Sequence, residues 1–143
     1  MQKNVGKIYT SNNIIIKQDQ INKYAEASGD DNPIHLDEAF AQNSNFGGIV
    51  AHGMLILAQI SELLTSIFGI NWVNNGHLDV RFRRPVYLKD SIQSIIEIVS
   101  IESDNDKSKI SCKVSCVKNN DDSVIVGTAN IYIPENKEGK VNV

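Results

Sequence analysis

Ala51-His52-Gly53-Met54-Leu55-Ile56-Leu57-Ala58-Gln59-Ile60-Ser61-Glu62-Leu63-Leu64-Thr65-Ser66-Ile67-Phe68 decides how this chain folds. Apolar side chains occupy nearly every direction of its helical wheel, the pattern of a helix buried on most sides. At about 1.5 Å per residue the stretch spans roughly 27 Å, and Gly69 ends it. Gln59, Ser61 and Glu62 interrupt the apolar run, which leaves it short of the roughly 20 residues needed to cross a bilayer.

Downstream, the period changes to two. Leu78, Val80 and Phe82 alternate with Asp79, Arg81 and Arg83, and further alternating runs fall near 91–102, 108–118 and 123–133. Lys89-Asp90, Ser103-Asp104-Asn105-Asp106 and Asn119-Asn120-Asp121-Asp122 separate these runs as turns. Four strands in an antiparallel meander are therefore expected. Upstream, two short strands within 5–16 flank Ser11-Asn12-Asn13, and Ile14-Ile15-Ile16 suits the second by β-branching. Ile21, Tyr24, Ala25 and Ser28 keep helical spacing over Gln18–Ser28, with Asp19 in the first turn and Gly29 as the stop. Asp31-Asn32-Pro33 reads as a turn, and a short helix from Asp37 to Asn43 takes Asp37 as its cap.

The class is α+β: an antiparallel sheet wrapped around a long central helix, the layout of a hot-dog fold. Without an internal repeat or linker, residues 1–143 are expected to form a single domain, with 134–143 as a frayed polar tail.

The 143 residues suffice for one core, at 41% hydrophobic and 22% charged. A net charge of −3 lacks the basic footprint of a nucleic-acid binder. Cys112 and Cys116 share one strand, so about 13 Å separates them. Disulfide Cα atoms lie within about 7 Å, so two reduced thiols are expected, which fits a cytoplasmic protein. Met1–Val5 has no apolar signal region, so neither a signal peptide nor a membrane association is expected.

Gly29-Asp30-Asp31-Asn32-Pro33-Ile34-His35 carries the chemistry. It sets a carboxylate and an imidazole five positions apart around a proline bend. Ala51-His52-Gly53-Met54 then opens the buried helix, so acid/base groups and a helix N-terminus belong to one reading.

Tyr24-Ala25-Glu26-Ala27-Ser28-Gly29-Asp30-Asp31-Asn32-Pro33-Ile34-His35, with Ala41 beyond it, closely resembles the signature of the MaoC-like, (R)-specific enoyl-CoA hydratases. Ile49-Val50-Ala51-His52-Gly53-Met54-Leu55 resembles that family's helix start, and Phe82-Arg83-Arg84-Pro85-Val86 the strand end that follows. The likeness runs from about residue 5 to 133; Lys17 departs mildly, where many relatives carry a Ser or Thr cap.

The resemblance implies reversible hydration of trans-2-enoyl-CoA to (R)-3-hydroxyacyl-CoA, with no cofactor and no metal. It also implies an acyl-CoA or acyl carrier protein thioester as partner, and a homodimer. Asp30 and His35 match the catalytic pair. An imidazole with a pKa of about 6.5 suits proton exchange at neutral pH, and which of the two is base and which acid stays open. Asn32 and Pro33 are expected to scaffold the turn. The Gly53 N–H, unpaired at a helix start with the dipole behind it, suits an oxyanion hole. By the resemblance, Ser61 and Leu64 line the acyl pocket.

Plainer readings compete. Asp30 can cap a turn, His35 can be a loop residue, and His52 reads as a packed residue beside the helix start. The cluster Asp30, Asp31, His35 and Asp37 is oxygen-rich but lacks the EF-hand glycine. Arg81, Arg83 and Arg84 are either a solvated strand edge or contacts for coenzyme A phosphates. The alternatives to hydration are a hot-dog acyl-CoA thioesterase, which the Asn-Pro-x-His spacing disfavours, and a non-catalytic acyl-CoA-binding module, which has no need of both Asp30 and His35.

Overall fold

The structure, a computed structural model, describes residues 4–104, 106–119 and 122–134. Strand β1 (Ile8–Thr10) and β2 (Ile14–Ile15) lead into α1 (Gln18–Ser28), α2 (Pro33–Leu36) and α3 (Glu38–Gln42). The long α4 (Gly53–Phe68) and a short α5 (Ile70–Asn75) follow. Then come β3 (Gly76–Phe82), β4 (Ser91–Asp104), β5 (Lys107–Lys118) and β6 (Asp122–Pro134). The order across the sheet is β1-β4-β5-β6-β3, with β2 beside β1 on β4, and every pairing is antiparallel.

Alternation does what a half-buried sheet requires. Ile92, Ser94, Ile96 and Ile98 on β4 point inward, as do Ile110, Cys112, Val114 and Cys116 on β5 and Ala129, Ile131 and Ile133 on β6. Against this face α4 presents Ile56, Ile60, Leu64 and Phe68, a stripe at i, i+4 spacing. Burying each of these side chains contributes about 1.5–3 kcal/mol. Cys112 and Cys116 are both buried and neither is in a disulfide, and burial pushes the Cys116 thiol up to about 11.

Several details depart from the sequence reading. The helix begins at Gly53, two residues later than Ala51, because the Ala51 N–H is taken by the Val86 carbonyl at 2.8 Å and His52 becomes the N-cap. It buries one stripe rather than most of its circumference, and Met54 is exposed. Pro33–Leu36 forms a full helical turn where only a bend was expected, because the Asn32 side chain caps it. The segment after Gly69 adds α5 before the strands begin.

Only β4, β5 and β6 form the meander. β3 does not pair with β4; it pairs across the sheet with β6, Val80 opposite Gly127. Any Cβ at 127 would overlap the Asp79 carbonyl, so glycine is what admits β3 there. Ser103 and Asp104 continue β4, paired with Ser108 and Lys107, and Asp122 already belongs to β6. Pro134 closes β6 opposite Lys107; residues 135–143 of the expected tail lie outside the described residues.

The segment that carries the chain from β3 to β4 is itself clamped. Ala51 and Leu88 donate to Val86 and Ile49, so 49–51 and 86–88 form a small antiparallel ladder in front of α4. Asp90 fastens its end, accepting from the Tyr87 N–H at 2.8 Å and the Asn119 amide at 2.9 Å, with Lys118 at 3.4 Å. Lys118 also donates to the Pro85 carbonyl at 2.9 Å.

Candidate active site

α1 stops at Gly29, whose φ of 77° is the left-handed conformation glycine adopts without steric cost. Its last residue prepares the turn: Ser28 Oγ donates to the Tyr24 carbonyl at 2.7 Å and accepts the Asp30 N–H at 3.2 Å. Asn32 Oδ1 accepts the Ile34 N–H at 3.1 Å, and Pro33, which has no N–H to satisfy, takes the first helical position. Asn32 and Pro33 thus build the single turn that carries His35.

His35 Nδ1 lies 2.6 Å from the Val50 carbonyl. A carbonyl can only accept, so Nδ1 bears the hydrogen. Nε2 then faces Asp30, 4.0 Å from Oδ2. That separation is too long for a direct hydrogen bond, but an oxygen about 2.8 Å from each atom fits at the apex between them. His35 is 13% exposed and Asp30 54%, so the imidazole is enclosed while the carboxylate meets solvent.

Beneath this pair lies His52, 2% exposed. Its ring stacks on that of His35 at 3.8 Å between centroids and 27° between planes, and Tyr24 packs on it at 4.8 Å. His52 Nε2 is 2.9 Å from the Asp30 backbone carbonyl and therefore donates to it.

Asp30, His35 and His52 form the group of metal-capable side chains brought together among the described residues, with donor atoms within 4.8 Å of one another. The two imidazoles are poorly disposed to share an ion. A metal lies close to the plane of each ligating ring at about 2.0–2.1 Å, and rings stacked this nearly parallel do not bring their planes together within that reach.

His35 and Gly53 share a cavity of about 470 Å³. Its walls are mostly apolar, with Ile34, Ile56, Val86 and Ile125, and Arg83 and Arg84 also line it. At the start of α4 the Gly53 N–H has no backbone acceptor among the described residues. A Cβ built on Gly53 would sit 3.0 Å from Phe82 Cε1. Arg84 is engaged with Asp122 at 2.9 Å, whereas Arg83 has no side-chain partner among the described residues and also lines an adjoining cleft with Ser123.

The residues singled out from sequence therefore divide. His35 and Gly53 meet on the cavity, whereas Asp30 is not part of its lining and stands beside it, its carboxylate facing His35 Nε2 at 4.0 Å. Ser61 and Leu64 lie elsewhere: Ser61 Oγ accepts the Trp72 indole N–H at 3.2 Å, and Leu64 is wholly inside the core. Phe82, Val124 and Ile125 line the cavity but were not singled out. Their alternating pattern marks them only as strand residues, and what brings them together is the pairing of Phe82 with Ile125.

A helix laid on one face of an antiparallel sheet, with an acid and an imidazole beside its N-terminus, has the layout of a hot-dog domain. The chain belongs to the MaoC-like family, whose domain profile matches residues 2–120. It is 32% identical over 116 residues to a 3-hydroxybutyryl-CoA dehydratase of Methylorubrum extorquens, covering 80% of this chain and 71% of that protein. It is 28% identical over 132 residues to a mitochondrial 3-hydroxyacyl-[acyl-carrier-protein] dehydratase of Arabidopsis thaliana, covering 91% and 77%. Among solved structures, the unliganded R-hydratase of Pseudomonas aeruginosa superposes with a TM-score of 0.80 at 28% identity, covering 94% of this chain and 84% of that one. No helix among the described residues is long and apolar enough to cross a membrane.

Proposed function

We propose that this protein is a lyase that reversibly hydrates trans-2-enoyl thioesters to (R)-3-hydroxyacyl thioesters. The observation that carries this reading is the arrangement of His35. With Nδ1–H committed to Val50, its Nε2 is the ring atom left to exchange a proton, and it faces the Asp30 carboxylate across a gap sized for one water.

In the hydration direction the water oxygen bonds to C3 of the enoyl group and a proton is added at C2. The electron pair of the double bond passes transiently onto the thioester oxygen, where the Gly53 N–H at the positive end of α4 stabilises it. Asp30 and His35 together take the proton from water and supply the one at C2. Dehydration runs the same steps backwards. The apolar cavity wall suits the acyl chain, and Arg83, without a side-chain partner among the described residues, suits a phosphate of the pantetheine carrier. Coenzyme A and acyl carrier protein both bear that phosphate, and the names of the relatives include both carriers.

A homodimer fits the same reading. β3 is an edge strand, and Phe82 at its end, with Ile70 and Val73 on the neighbouring α5, leaves apolar surface exposed. Light scattering on the purified protein tests this.

The decisive experiment is turnover of crotonyl-CoA, followed as loss of the conjugated enoyl absorbance. Asp30→Asn and His35→Ala should each lower kcat by about 10²–10⁴-fold with the fold retained. Full activity in both variants refutes the site. Release of free thiol instead points to a thioesterase, and saturable binding without turnover to a binding module.

A further inference from the structure

The geometry points to His52 as the positioning residue that holds Asp30 and His35 in register with each other. This rests on the hydration reading above.

His52 touches both members of the pair by different means. Its Nε2–H donates to the backbone carbonyl of Asp30 at 2.9 Å, and its ring lies against the His35 ring at 3.8 Å. Asp30 follows a left-handed glycine, and its side chain is half exposed; its carboxylate accepts the Asn32 N–H at 3.5 Å, and among the described residues its nearest side-chain partner is His35 Nε2 at 4.0 Å. The bond from His52 is what ties the Asp30 backbone to the rigid start of α4. The same residue is the N-cap of α4 by its backbone, so the helix start that presents the Gly53 N–H and the bend that holds the acid/base pair meet in one residue.

A space-filling role accounts for less of what is seen. His52 is 2% exposed, and its Nδ1 is buried with no hydrogen-bond partner among the described residues. An apolar ring would fill the space without burying an unpaired nitrogen, so for packing alone histidine is the poorer choice. The groups around it are Tyr24 from α1, His35 from α2 and the Asp30 carbonyl. Among these only the Asp30 carbonyl receives a hydrogen bond from it.

The two roles give opposite orders of variants. His52→Phe keeps the stacked ring and the volume but loses the donor. His52→Gln keeps an N–H donor of similar reach but loses the ring. If His52 positions the pair, Phe should lower kcat on crotonyl-CoA about 10–100-fold at nearly unchanged KM, the scale of a catalytic group displaced by under about 1 Å. Gln should recover a large part of that loss while melting at a lower temperature than Phe, so that activity and stability rank oppositely. If Phe fails to fold, His52→Leu takes its place in the comparison. Wild-type kcat in the Phe or Leu variant overturns the positioning role and leaves the hydration reading standing. So does a Gln variant no more active than Phe. Absence of turnover by the wild-type protein overturns the hydration reading and this role with it.

Discussion

Replacing Gly53 with alanine adds one methyl group at the most crowded point of the site. The backbone permits it, because Gly53 is not among the residues of positive φ. The new Cβ would lie 3.0 and 3.1 Å from Phe82 Cε1 and Cδ1, where carbon atoms prefer about 3.5–4.0 Å. Phe82 or the helix start must therefore yield by a few tenths of an ångström. Phe82 is 53% exposed and can swing, so the stability change should stay within about 1 kcal/mol, helped by alanine's better helix propensity. Catalysis tolerates less. An oxyanion donor works at about 2.7–3.1 Å, and a displacement of about 1 Å costs on the order of 10²-fold. With a shift of a few tenths of an ångström, Gly53→Ala is expected to lower kcat/KM on crotonyl-CoA about three- to tenfold while the melting temperature moves by only a few degrees. Phe82→Leu removes the ring, and the double variant should recover most of that loss over Gly53→Ala, a coupling that a double-mutant cycle reads directly. Wild-type activity in Gly53→Ala would refute the role given to this helix start. No recovery in the double variant would show that the substrate itself, and not Phe82, requires the glycine.

Arg83→Ala should raise KM for a coenzyme A ester severalfold at constant kcat and weaken its salt dependence, while Arg84→Ala, already paired to Asp122, should do less; steady-state kinetics at two ionic strengths decides. Burial pushes the Asp90 carboxyl up, but the Tyr87 N–H, the Asn119 amide and Lys118 outweigh it and hold its pKa below the usual value. Its stabilisation is thus complete above the unfolded pKa of about 3.9 and is lost as pH falls through the lower folded value. Asp90→Asn should therefore cost about 1–3 kcal/mol at pH 7, a gap to wild type that closes below about pH 4 in urea titrations; a pH-independent gap would contradict the network. Burial of Cys112 and Cys116 implies that neither reacts with a thiol reagent at pH 8 in the native protein and both react in denaturant; fast native labelling would place them wrongly.

Periodicity made the elements legible. The helical spacing of Ile21, Ala25 and Ser28 and the stop at Gly29 fixed α1, and period-two alternation fixed β4, β5 and β6, because solvent on one side and core on the other writes itself into neighbouring residues. The turn holding Asp30 and His35 was legible for the same reason: its capping and proline chemistry is local. The meeting of His35 with Gly53 followed from their motifs only as far as the resemblance carried it. What stayed hidden depends on partners distant along the chain. Ser61 is a pocket residue only by the resemblance, and Trp72 on an unanticipated α5 takes its hydroxyl. β3 alternates like any hairpin strand, yet it pairs with β6, because Gly127 admits it and the Asp90–Lys118 network holds the segment leading to β4. His52 reads from sequence as packing; only the tertiary structure sets its ring on His35 and its N–H on Asp30. Local physics therefore determined the turn and the helix start on which the candidate residues sit. The tertiary structure decided which of them share a cavity and what holds them there, since a contact between Asp30 and His52 rests on the packing of α4 against the loop and not on any spacing along the chain.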